Sequence, residues 1–334
     1  MKALVIQSAF GFENLAVVDR PDPAPGPGQI LVRVRAASLN FRDLLIVKGQ
    51  YNPRLQFPRV LGSDAAGEVV AVGAGTTRFR VGDRVANCFM SDWDDGPITD
   101  AATKSALGSD RDGVFAELVA LDERAAVSVP EHLTFEEAAT LPCAAVTAFN
   151  ALMTARIGVD RTVLLQGTGG VSIFALQLAT ALGARALITS SSDEKLARAL
   201  ALGAVAGTNY RTAPDWDKWA RQQTGGTGVD VVVEVGGAGT LERSLKAVKT
   251  GGHVALIGVL AGAGAVNPLL ILMKAVRVQG VFVGSRKMFE GMNAVIAEKK
   301  LRPVIDRVFP FADAVEAFKH LESGSHFGKV VMKL

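Results

Sequence analysis

The sequence contains few of the residues from which disulfide frameworks and metal sites are built. Two cysteines, Cys88 and Cys143, and four histidines occur among the 334 residues. A disulfide framework needs several cysteine pairs, so a reducing cytoplasm is the compartment that fits best. No C-x-x-C motif occurs and no two histidines stand at ligand spacing, although a structural zinc needs about four nitrogen or sulfur ligands and a catalytic zinc about three protein ligands. We therefore expect no metal site.

A surplus of charge of one sign is also missing. The chain has 36 Lys and Arg residues against 33 Asp and Glu residues, and the basic residues are scattered apart from the segment Lys299 to Arg302. This distribution argues against a nucleic-acid-binding surface. The uncharged stretch from Val254 to Met273 is interrupted by glycines and a proline, so we expect a buried strand, a loop and a short helix there rather than a membrane span. The predicted partner is a small-molecule substrate, with no nucleic acid and no membrane.

Two domains are expected because 334 residues exceed what one hydrophobic core usually holds. The first third of the chain is predicted to be rich in β-structure, and Gln29 to Ala36 alternates apolar and polar residues like a half-buried strand. From Thr162 onward, short apolar strands alternate with helical patterns, which indicates a parallel sheet covered by helices on both faces. The last strand, Gly328 to Leu334, is expected to return to the first domain.

A glycine-rich segment follows the first strand of the alternating region and opens a helix. Gly167 and Gly169 occupy the first two positions of a G-x-G-x-x-G pattern, and Ser172 stands at the third. Small residues allow the backbone to approach a dinucleotide pyrophosphate, and the free amides of the helix N-terminus face the anion. A tight turn without a ligand is the alternative. We expect cofactor contacts from Gly167, Thr168, Gly169, Gly170 and Val171.

The end of the second strand of this region indicates which cofactor is bound. NAD sites typically place Asp or Glu there, about 20 residues after the glycines, to bind the ribose hydroxyls. Here Ser190, Ser191 and Ser192 stand instead, with Lys195 one helical turn further on. Their donors suit the 2′-phosphate of NADPH, and an exposed helix N-cap with a solvated lysine is the alternative. The sequence therefore favours NADPH over NADH.

Two later strands supply further candidate positions. Gly236 and Ile257 stand at the ends of successive predicted strands. The ligands of open α/β sheets bind outside the carboxyl ends of the strands. We therefore expect both residues to contact the cofactor.

The order of these segments resembles that of the medium-chain dehydrogenase/reductases, and the resemblance covers essentially the whole chain. The segments that carry it are Ala37–Asp43, Gly49–Tyr51, Leu61–Val69, Ala138–Pro142, Thr147–Phe149 and Gly328–Val331. The resemblance implies an α/β fold with a Rossmann doubly wound parallel sheet, which binds the cofactor, in residues 123–285. It also implies a β-rich GroES-like catalytic domain formed by residues 1–122 and 286–334.

Departures from the family pattern are equally informative. In the zinc alcohol dehydrogenases of this family, a cysteine ligand stands in the region of Ser38 to Asn40 and a G-H-E motif supplies a histidine. Gly62-Ser63-Asp64 replaces that motif here, and the lobe from Asn87 to Asp112 lacks the set of structural cysteines. The resemblance therefore implies the zinc-independent, quinone oxidoreductase-like branch, which reduces quinones or activated alkenes with NADPH.

The resemblance also implies roles for individual residues. Asn40 and Tyr51 are expected to face the nicotinamide, where Asn40 polarises a carbonyl or orients the substrate, and Tyr51 binds it or supplies a proton, as solvent could equally do. The alternatives are a loop-stabilising side chain for Asn40 and packing at the core edge for Tyr51. Asp43 is expected to fix the local backbone or to pair with Arg42. Further cofactor contacts are expected from Thr147, Tyr210, Val283 and Lys329, of which Lys329 would reach the phosphates. The alternatives are helix packing for Thr147, ordinary packing for Tyr210 and a solvated side chain for Lys329.

Three functions remain open from the sequence. The first is NADPH-dependent, zinc-independent hydride transfer to a quinone or an α,β-unsaturated carbonyl compound. The second is a zinc-free alcohol dehydrogenase or carbonyl reductase on the same scaffold, and the third is a nucleotide-binding protein with little catalytic activity. The nearly intact glycine loop favours the first two. The resemblance further implies a homodimer, for which the edge strand from Val276 to Val283 is the candidate interface.

Overall fold

The computed structural model describes residues 1–258 and 264–334. Contacts divide the chain into a first unit of Met1–Val146 with Gly284–Leu334 and a second unit of Thr147–Val283. Our predicted domains, 1–122 with 286–334 and 123–285, differ from this division chiefly at the first boundary. Residues 123–146 belong to the first unit because a strand at Ala126–Ser128 pairs with the strand Arg84–Asn87 of that unit.

The strands and helices follow in chain order. The strands are β1 (Lys2–Ile6), β2 (Leu15–Asp19), β3 (Gln29–Leu39), β4 (Arg59–Val60), β5 (Ala65–Val72), β6 (Arg84–Asn87), β7 (Leu118–Asp122), β8 (Ala126–Ser128), β9 (Thr162–Leu165), β10 (Arg185–Ser190), β11 (Ala206–Asn209), β12 (Val229–Glu234), β13 (Val248–Leu256), β14 (Arg277–Gly280), β15 (Ile305–Pro310) and β16 (Lys329–Lys333). The helices are α1 (Phe41–Val47), α2 (Asp100–Thr103), α3 (Phe135–Ala138), α4 (Val146–Thr154), α5 (Gly170–Ala181), α6 (Asp193–Ala201), α7 (Trp216–Gln222), α8 (Ala238–Ala247), α9 (Leu269–Met273), α10 (Arg286–Lys299) and α11 (Ala314–Glu322).

The first unit is organised around β3. Its Ile30, Val32 and Val34 are buried, as the alternation predicted, and they pack into the hydrophobic core of this unit. β3 pairs antiparallel with β5, β7 and β16. Along the sheet the order is β15-β16-β3-β5-β6-β8, and β2, β1 and β4 form a separate three-stranded sheet. The first unit is therefore the predicted β-rich domain.

The register between β3 and β16 brings two distant segments side by side. The strands run antiparallel, and Val330 lies opposite Leu39. The next residues along the pair are Lys329 and Asn40, so these two are cross-strand neighbours although they are far apart in the sequence. The C-terminal strand thus returns to the β-rich domain, as we expected.

The second unit contains the predicted parallel sheet. Its strand order is β11-β10-β9-β12-β13-β14, and all neighbouring strands run parallel. β9 is buried along its whole length and β10 from Ala186 to Ser190, as expected for strands covered on both faces. Numbered within the unit, this is the 3-2-1-4-5-6 order of a Rossmann fold, so the predicted fold class is confirmed.

The uncharged stretch from Val254 to Met273 contains a strand end and a short helix. β13 ends at Leu256 and α9 covers Leu269–Met273. Part of the loop that we predicted between them, residues 259–263, lies outside the described residues. Within the described ranges, no helix combines the length and the apolar character that crossing a membrane requires.

Candidate active site

The glycine loop of the second unit leaves open space in front of its backbone. Gly167 has φ +70°, a conformation that favours glycine, and no atom lies within 4 Å of the position that a Cβ would occupy at Gly167 or Gly169. The first bond of α5 runs from the Ile173 N–H to the Gly169 carbonyl, so the amides of Gly170 and Val171 have no acceptor within the helix. Free amides beside open space at a helix N-terminus can bind a phosphate group.

Neighbouring side chains hold this loop in shape. The Ser172 hydroxyl donates to the Gln166 carbonyl at 2.6 Å, and the Gly167 N–H donates to the Thr189 hydroxyl at 3.3 Å. Thr168 is 6% exposed, so its side chain is part of the buried wall of the loop. Ser172, the serine at the third position of the motif, therefore stabilises the backbone conformation of the loop through this hydrogen bond.

The serines at the end of β10 differ in accessibility. Ser190 is 1% exposed, and its hydroxyl accepts a hydrogen bond from the Ser192 N–H at 3.3 Å. Ser191 and Ser192 are half-buried, and Ser192 Oγ caps α6 by accepting from the Lys195 N–H at 3.3 Å. The N–H of Tyr210 donates to the Ser190 carbonyl at 2.9 Å, which places this exposed tyrosine beside the strand end. Ser191, Ser192 and Tyr210 are therefore accessible to a ligand, whereas the Ser190 side chain lies in the core.

A buried carboxylate that the sequence analysis missed joins the ends of β9 and β12. Glu234 is fully buried, its Oε1 accepts from the Gly236 N–H at 2.8 Å, and its Oε2 accepts from Gln166 Nε2 at 2.7 Å. The hydroxyls of Thr240 and Ser244 also donate to it. Because both oxygens have partners, Glu234 fixes the turn at Gly236 next to the glycine loop. The signal in the sequence is an acidic residue that ends an apolar run.

The other cofactor residues predicted in the second unit lie after β13, in α4 and after β14. The Ile257 N–H donates to the Glu234 carbonyl at 2.9 Å, and Thr147 is buried in α4. Val283 has φ +55°, which is strained for a β-branched residue. Its carbonyl accepts a hydrogen bond from Asn150 Nδ2 at 2.8 Å. Asn150, which no sequence motif marks, thus supports the strained residue.

Polar side chains of the first unit form a buried chain of hydrogen bonds. The Lys329 ammonium donates to the Leu39 carbonyl at 2.6 Å and to Asn40 Oδ1 at 2.5 Å. Asn40 Nδ2 donates to Ser63 Oγ at 3.3 Å, and the Ser63 hydroxyl donates to Asp64 Oδ1 at 2.7 Å. This arrangement, which we call the Lys329–Asp64 chain, links a buried cation to a buried carboxylate through two neutral side chains.

The position of Lys329 distinguishes between the prediction and its alternative. We predicted a contact with the cofactor phosphates, and the alternative was a solvated lysine. Lys329 is instead 3% exposed, and its ammonium is bonded to groups of its own unit. This burial excludes the solvated side chain, and the β3–β16 register directs Lys329 to Asn40. The contact with the phosphates stays a prediction.

Burial and charge act against each other in this cluster. Burial lowers the pKa of Lys329, and the carboxylate of Asp64 opposes this effect. Burial raises the pKa of Asp64, against the effects of Lys329 and the Ser63 hydroxyl. Burial also raises the pKa of Asp43 to about 6, against the effect of the Arg42 guanidinium. Each buried charge thus has a partner of opposite sign that favours its ionised form.

Asp43 and Arg42 hold the segment that carries Asn40 and Tyr51. Asp43 Oδ2 accepts a hydrogen bond from the Asn40 N–H at 2.8 Å, which is the backbone-fixing role that we expected. Arg42 donates to the Leu107 carbonyl at 2.9 Å, and its guanidinium carbon lies 4.9 Å from the centre of the Tyr51 ring, within cation–π range. The Tyr51 hydroxyl forms no hydrogen bond with the described residues, so it can serve a ligand.

The described residues do not assemble a ligand set for a metal ion. In 1–258 and 264–334, no three His, Cys, Asp or Glu side chains form a group that could hold one. Asn40 and Ser63 stand in the regions where zinc enzymes of the resembled family carry ligands, and the Lys329 ammonium is bonded to Asn40. Lys329, when protonated, opposes the binding of a second cation at this place.

Comparison with known proteins decides the family. The zinc-binding dehydrogenase profile matches residues 170–298, and the alcohol dehydrogenase GroES-like profile matches residues 26–131. A zinc-type alcohol dehydrogenase-like protein of Schizosaccharomyces pombe is 44% identical over 100% of this chain and 99% of its own length. The chain belongs to the medium-chain dehydrogenase/reductase superfamily.

Other members of the superfamily differ in their named activities. An acryloyl-coenzyme A reductase of Metallosphaera sedula is 31% identical over 99% of both chains. A quinone oxidoreductase of Rattus norvegicus is 30% identical over 93% of this chain and 91% of its own. The superfamily membership makes this protein an oxidoreductase, and the named substrates belong to its relatives.

Solved structures of the superfamily match the whole chain. A putative alcohol dehydrogenase from Sinorhizobium meliloti 1021 has a TM-score of 0.92 at 41% identity, covering 100% of this chain and 99% of its own. An NAD-dependent alcohol dehydrogenase has a TM-score of 0.91 at 36% identity, covering 100% of both chains. A mycobacterial protein in complex with NADPH has a TM-score of 0.84 at 30% identity, also covering 100% of both. Nicotinamide cofactors of both kinds therefore occur among the neighbours.

Within this medium-chain dehydrogenase/reductase, the predicted site residues form two groups. Asn40 and Lys329 are bonded to each other in the first unit. The glycine loop, Ser191–Ser192 and Gly236 follow the neighbouring strands β9, β10 and β12 in the second unit. This is the end of the sheet at which open α/β folds bind their ligands.

Proposed function

We propose that the protein is an NADPH-dependent, zinc-independent reductase of quinones or α,β-unsaturated carbonyl compounds. The observation that carries the proposal is the bond between the Lys329 ammonium and Asn40 Oδ1 at 2.5 Å. In the regions where zinc relatives hold a Lewis acid, this chain carries the Asn40 carboxamide, whose Oδ1 faces the Lys329 ammonium and whose N–H end faces away from it. Hydrogen-bond donors of this kind can stabilise an oxyanion without a metal.

The second unit fits a dinucleotide cofactor, which supplies the hydride when bound. The open space at Gly167 and Gly169 admits a pyrophosphate, which the amides of Gly170 and Val171 would hold. Ser191, Ser192, Lys195 and Tyr210 would bind a 2′-phosphate, because no acidic side chain replaces them at the end of β10. Toward the nicotinamide, the candidates are Thr147, Gly236, Ile257 and Val283.

Asn40 polarises the substrate in this proposal. Its Nδ2 donates a hydrogen bond to the carbonyl oxygen. When a hydride adds to the β-carbon, the electron pair of the C=C bond moves toward the carbonyl and the oxygen becomes an enolate. The Asn40 bond is stronger to this charged oxygen than to the ground-state carbonyl, so it lowers the barrier. A proton from the Tyr51 hydroxyl or from water then reaches the α-carbon; for a quinone, one hydride and one proton give the hydroquinone.

Carbonyl reduction at an aldehyde or ketone is the second candidate function. The S. pombe relative at 44% identity carries an alcohol dehydrogenase name, and the same Asn40 donor suits a saturated carbonyl. The absence of a metal ligand set among the described residues favours the conjugated substrate. Hydride addition to a saturated carbonyl gives a localised alkoxide, which needs stronger stabilisation than a delocalised enolate does.

A substrate screen tests the proposal. The purified protein is treated with a chelator and assayed for NADPH and NADH oxidation with 1,4-benzoquinone, 2-cyclohexenone and a saturated aldehyde. We expect turnover of the quinone or the enone, tighter binding of NADPH than of NADH, and a fall in kcat/KM of about 100-fold in Asn40→Ala. Activity that is lost on chelation and restored by zinc, or turnover of the aldehyde alone, would contradict the proposal.

We further propose that the protein forms a homodimer through the edge of the parallel sheet. β14 is the last strand in the described order of this sheet, so its outer edge offers backbone hydrogen-bonding groups. The neighbouring α9 is rich in exposed apolar residues, with Leu272 74% and Met273 73% exposed. A second copy of the chain would cover these side chains, which a monomer leaves in water.

A further inference from the structure

Glu234 connects the ends of three neighbouring strands of the parallel sheet, β9, β12 and β13. Its side chain accepts hydrogen bonds from Gln166 Nε2, directly after β9, at 2.7 Å and from the Gly236 N–H, after β12, at 2.8 Å. Its main-chain carbonyl accepts from the Ile257 N–H, after β13, at 2.9 Å. One buried residue therefore holds all three strand ends at which we expect the cofactor to bind.

The side chain of Gln166 links this carboxylate to the glycine loop. Its Nε2 donates to Glu234 and to the Ser244 hydroxyl, both at 2.7 Å, and its Oε1 accepts from the Val235 N–H at 3.2 Å. These contacts fix the orientation of the carboxamide at both ends. Because Gln166 directly precedes Gly167, a movement of this side chain displaces the first residue of the loop.

Both oxygens of the Glu234 carboxylate accept several hydrogen bonds in the core. Oε1 accepts from two amides of the turn after β12 and from the Thr240 hydroxyl at 2.6 Å, and Oε2 accepts from Gln166 and from the Ser244 hydroxyl. Glu234 and Ser244 are fully buried, and Gln166 is 6% exposed. A buried donor that loses its acceptor is costly, so a change at one member of this set displaces its neighbours.

From this geometry we infer that Glu234 is a positioning residue for the nicotinamide cofactor, which acts through Gln166 and Gly236. It holds the glycine loop and the turn after β12 in one relative position, so that both can contact the same bound cofactor molecule. A site that is held in its binding conformation before the ligand arrives loses less conformational freedom on binding. The inference rests on the cofactor site of the proposed function and is independent of the substrate.

The substitution Glu234→Gln keeps the shape of the side chain and replaces one acceptor oxygen by an NH₂ group. This group faces either the amides of the turn after β12 or the NH₂ group of Gln166. If Gln166 turns over in response, its own NH₂ group faces the Val235 N–H. Two donors therefore meet in every arrangement, and either the loop or the turn has to move.

Exchanging the two side chains restores the hydrogen bonds. In Gln166→Glu/Glu234→Gln, the carboxylate at position 166 accepts from the Val235 N–H and from the NH₂ group at position 234. The oxygen at position 234 still accepts from the turn, and the Ser244 hydroxyl turns from one partner to the other. The net charge of the protein does not change, so the exchange tests the hydrogen bonds themselves.

Fluorescence titration of the full chain with NADPH and with NADH, together with thermal unfolding, tests the inference. We expect Glu234→Gln to raise the Kd of the more tightly bound nucleotide by about tenfold, and the exchange variant to return it to within about threefold of the wild type. Gln166→Met removes the link to the loop and leaves Glu234 its other donors. It should weaken binding as well, and it replaces Glu234→Gln in the comparison if that variant does not fold.

Asp230→Asn separates a loss of positioning from a loss of stability. Asp230 lies at the opposite end of β12, where it accepts from the Thr162 N–H at 2.8 Å and pairs with Lys249 at 2.6 Å. We expect this variant to be less stable and to bind the nucleotide with wild-type affinity. Wild-type affinity in Glu234→Gln, an equal loss of affinity in Asp230→Asn, or an exchange variant that does not recover would overturn the inference.

A failure of the proposed function gives a different result. A wild type that binds NADH more tightly than NADPH, or that reduces no carbonyl compound, would contradict that proposal alone, because the variants are compared with whichever nucleotide the wild type binds. A wild type that binds neither nucleotide would overturn the Glu234 inference as well.

Discussion

Two carboxylates of the first unit are buried at the same polar cluster and have different tasks. Asp64 is the end of the Lys329–Asp64 chain, where its second oxygen accepts a hydrogen bond from the Cys143 N–H at 3.0 Å. Asp43 holds the Asn40 backbone through one oxygen, and its other oxygen, Oδ1, has no hydrogen-bond partner among residues 1–258 and 264–334. An unpartnered oxygen in the core favours the protonated acid, so Asp43 is the group whose titration should affect stability.

The effect of Asp43 on stability has a definite sign. Its pKa is about 6 in the folded protein against an ordinary value of 3.8, so the folded state holds the proton more tightly than the unfolded state. Stability from this group is therefore present below about pH 4 and is lost as the pH rises to about 6. The loss amounts to about 3 kcal/mol.

Asp43→Asn tests this prediction because asparagine keeps an acceptor for the Asn40 N–H but cannot titrate. Urea unfolding of both proteins from pH 4 to pH 7 gives the difference in unfolding free energy, wild type minus variant. We expect this difference to fall by about 2 kcal/mol over this range, because the unfolded carboxyl is already partly ionised at pH 4. The exposed Asp160, changed to Asn, is the matched control. A difference that stays constant with pH would show that folding does not raise the pKa of Asp43.

At the scale of elements, the glycine loop was predictable because its signal is local. β9, the loop and α5 are consecutive in the chain, and the positions of Gly167 and Gly169 between an apolar strand and a helix are visible in the sequence. The capping serine Ser192 was predictable for the same reason. Propensity, capping and turn chemistry act over a few residues, and a single sequence displays them completely.

The Lys329–Asp64 chain could not be predicted in this way. Asn40, Ser63 and Lys329 belong to three segments that meet only through the pairing of β3 with β5 and β16. One residue of slippage in the β3–β16 register would turn Lys329 to the other face of the sheet. The buried Glu234 was missed for a related reason, because its partner Gln166 follows a different strand. The family resemblance identified Asn40 and Lys329 singly but not their contact.

The open space at the glycine loop yields a prediction with a matched control. Gly167 and Gly75 both have positive φ, +70° and +79°, and neither has an atom within 4 Å of a Cβ position. Alanine at either site should cost about 1–2 kcal/mol of stability, since both force an L residue into the left-handed region. Only Gly167→Ala should also weaken NADPH binding, by about tenfold or more, because its methyl group fills the space in front of the loop.

Fluorescence titration with NADPH and thermal unfolding of both variants make this comparison. Equal losses of stability with a loss of affinity confined to Gly167→Ala would support a pyrophosphate site at the loop. If Gly167→Ala binds NADPH as tightly as Gly75→Ala does, the pyrophosphate of NADPH does not approach this loop.

At the scale of the whole molecule, the two subunits of the proposed dimer would associate through one exposed edge of the parallel sheet. Leu269, Leu272 and Met273 of α9 are all more than half exposed, and Phe282, just after β14, is 38% exposed. Scattered apolar residues are normal on a protein surface, whereas several on one short segment beside an edge strand indicate an interface. Val159, at 72% exposed, is an isolated apolar residue of the same unit and so provides a comparison.

The double substitution Leu272→Asp/Met273→Asp should therefore convert a dimer into a monomer. Two carboxylates in a paired apolar surface would lose their hydration and repel their copies across the two-fold axis, so we expect the dimer dissociation constant to rise by at least about 100-fold. Val159→Asp should leave it unchanged. Sedimentation velocity measures the dimer dissociation constant, and a wild type that sediments as a monomer at micromolar concentration would contradict the proposal.

The monomeric variant should still bind NADPH with wild-type affinity, because the glycine loop follows β9 in the middle of the sheet, three strands away from the β14 edge. A joint loss of dimer and NADPH binding would instead mean that the edge strand supports the sheet from which the loop is built.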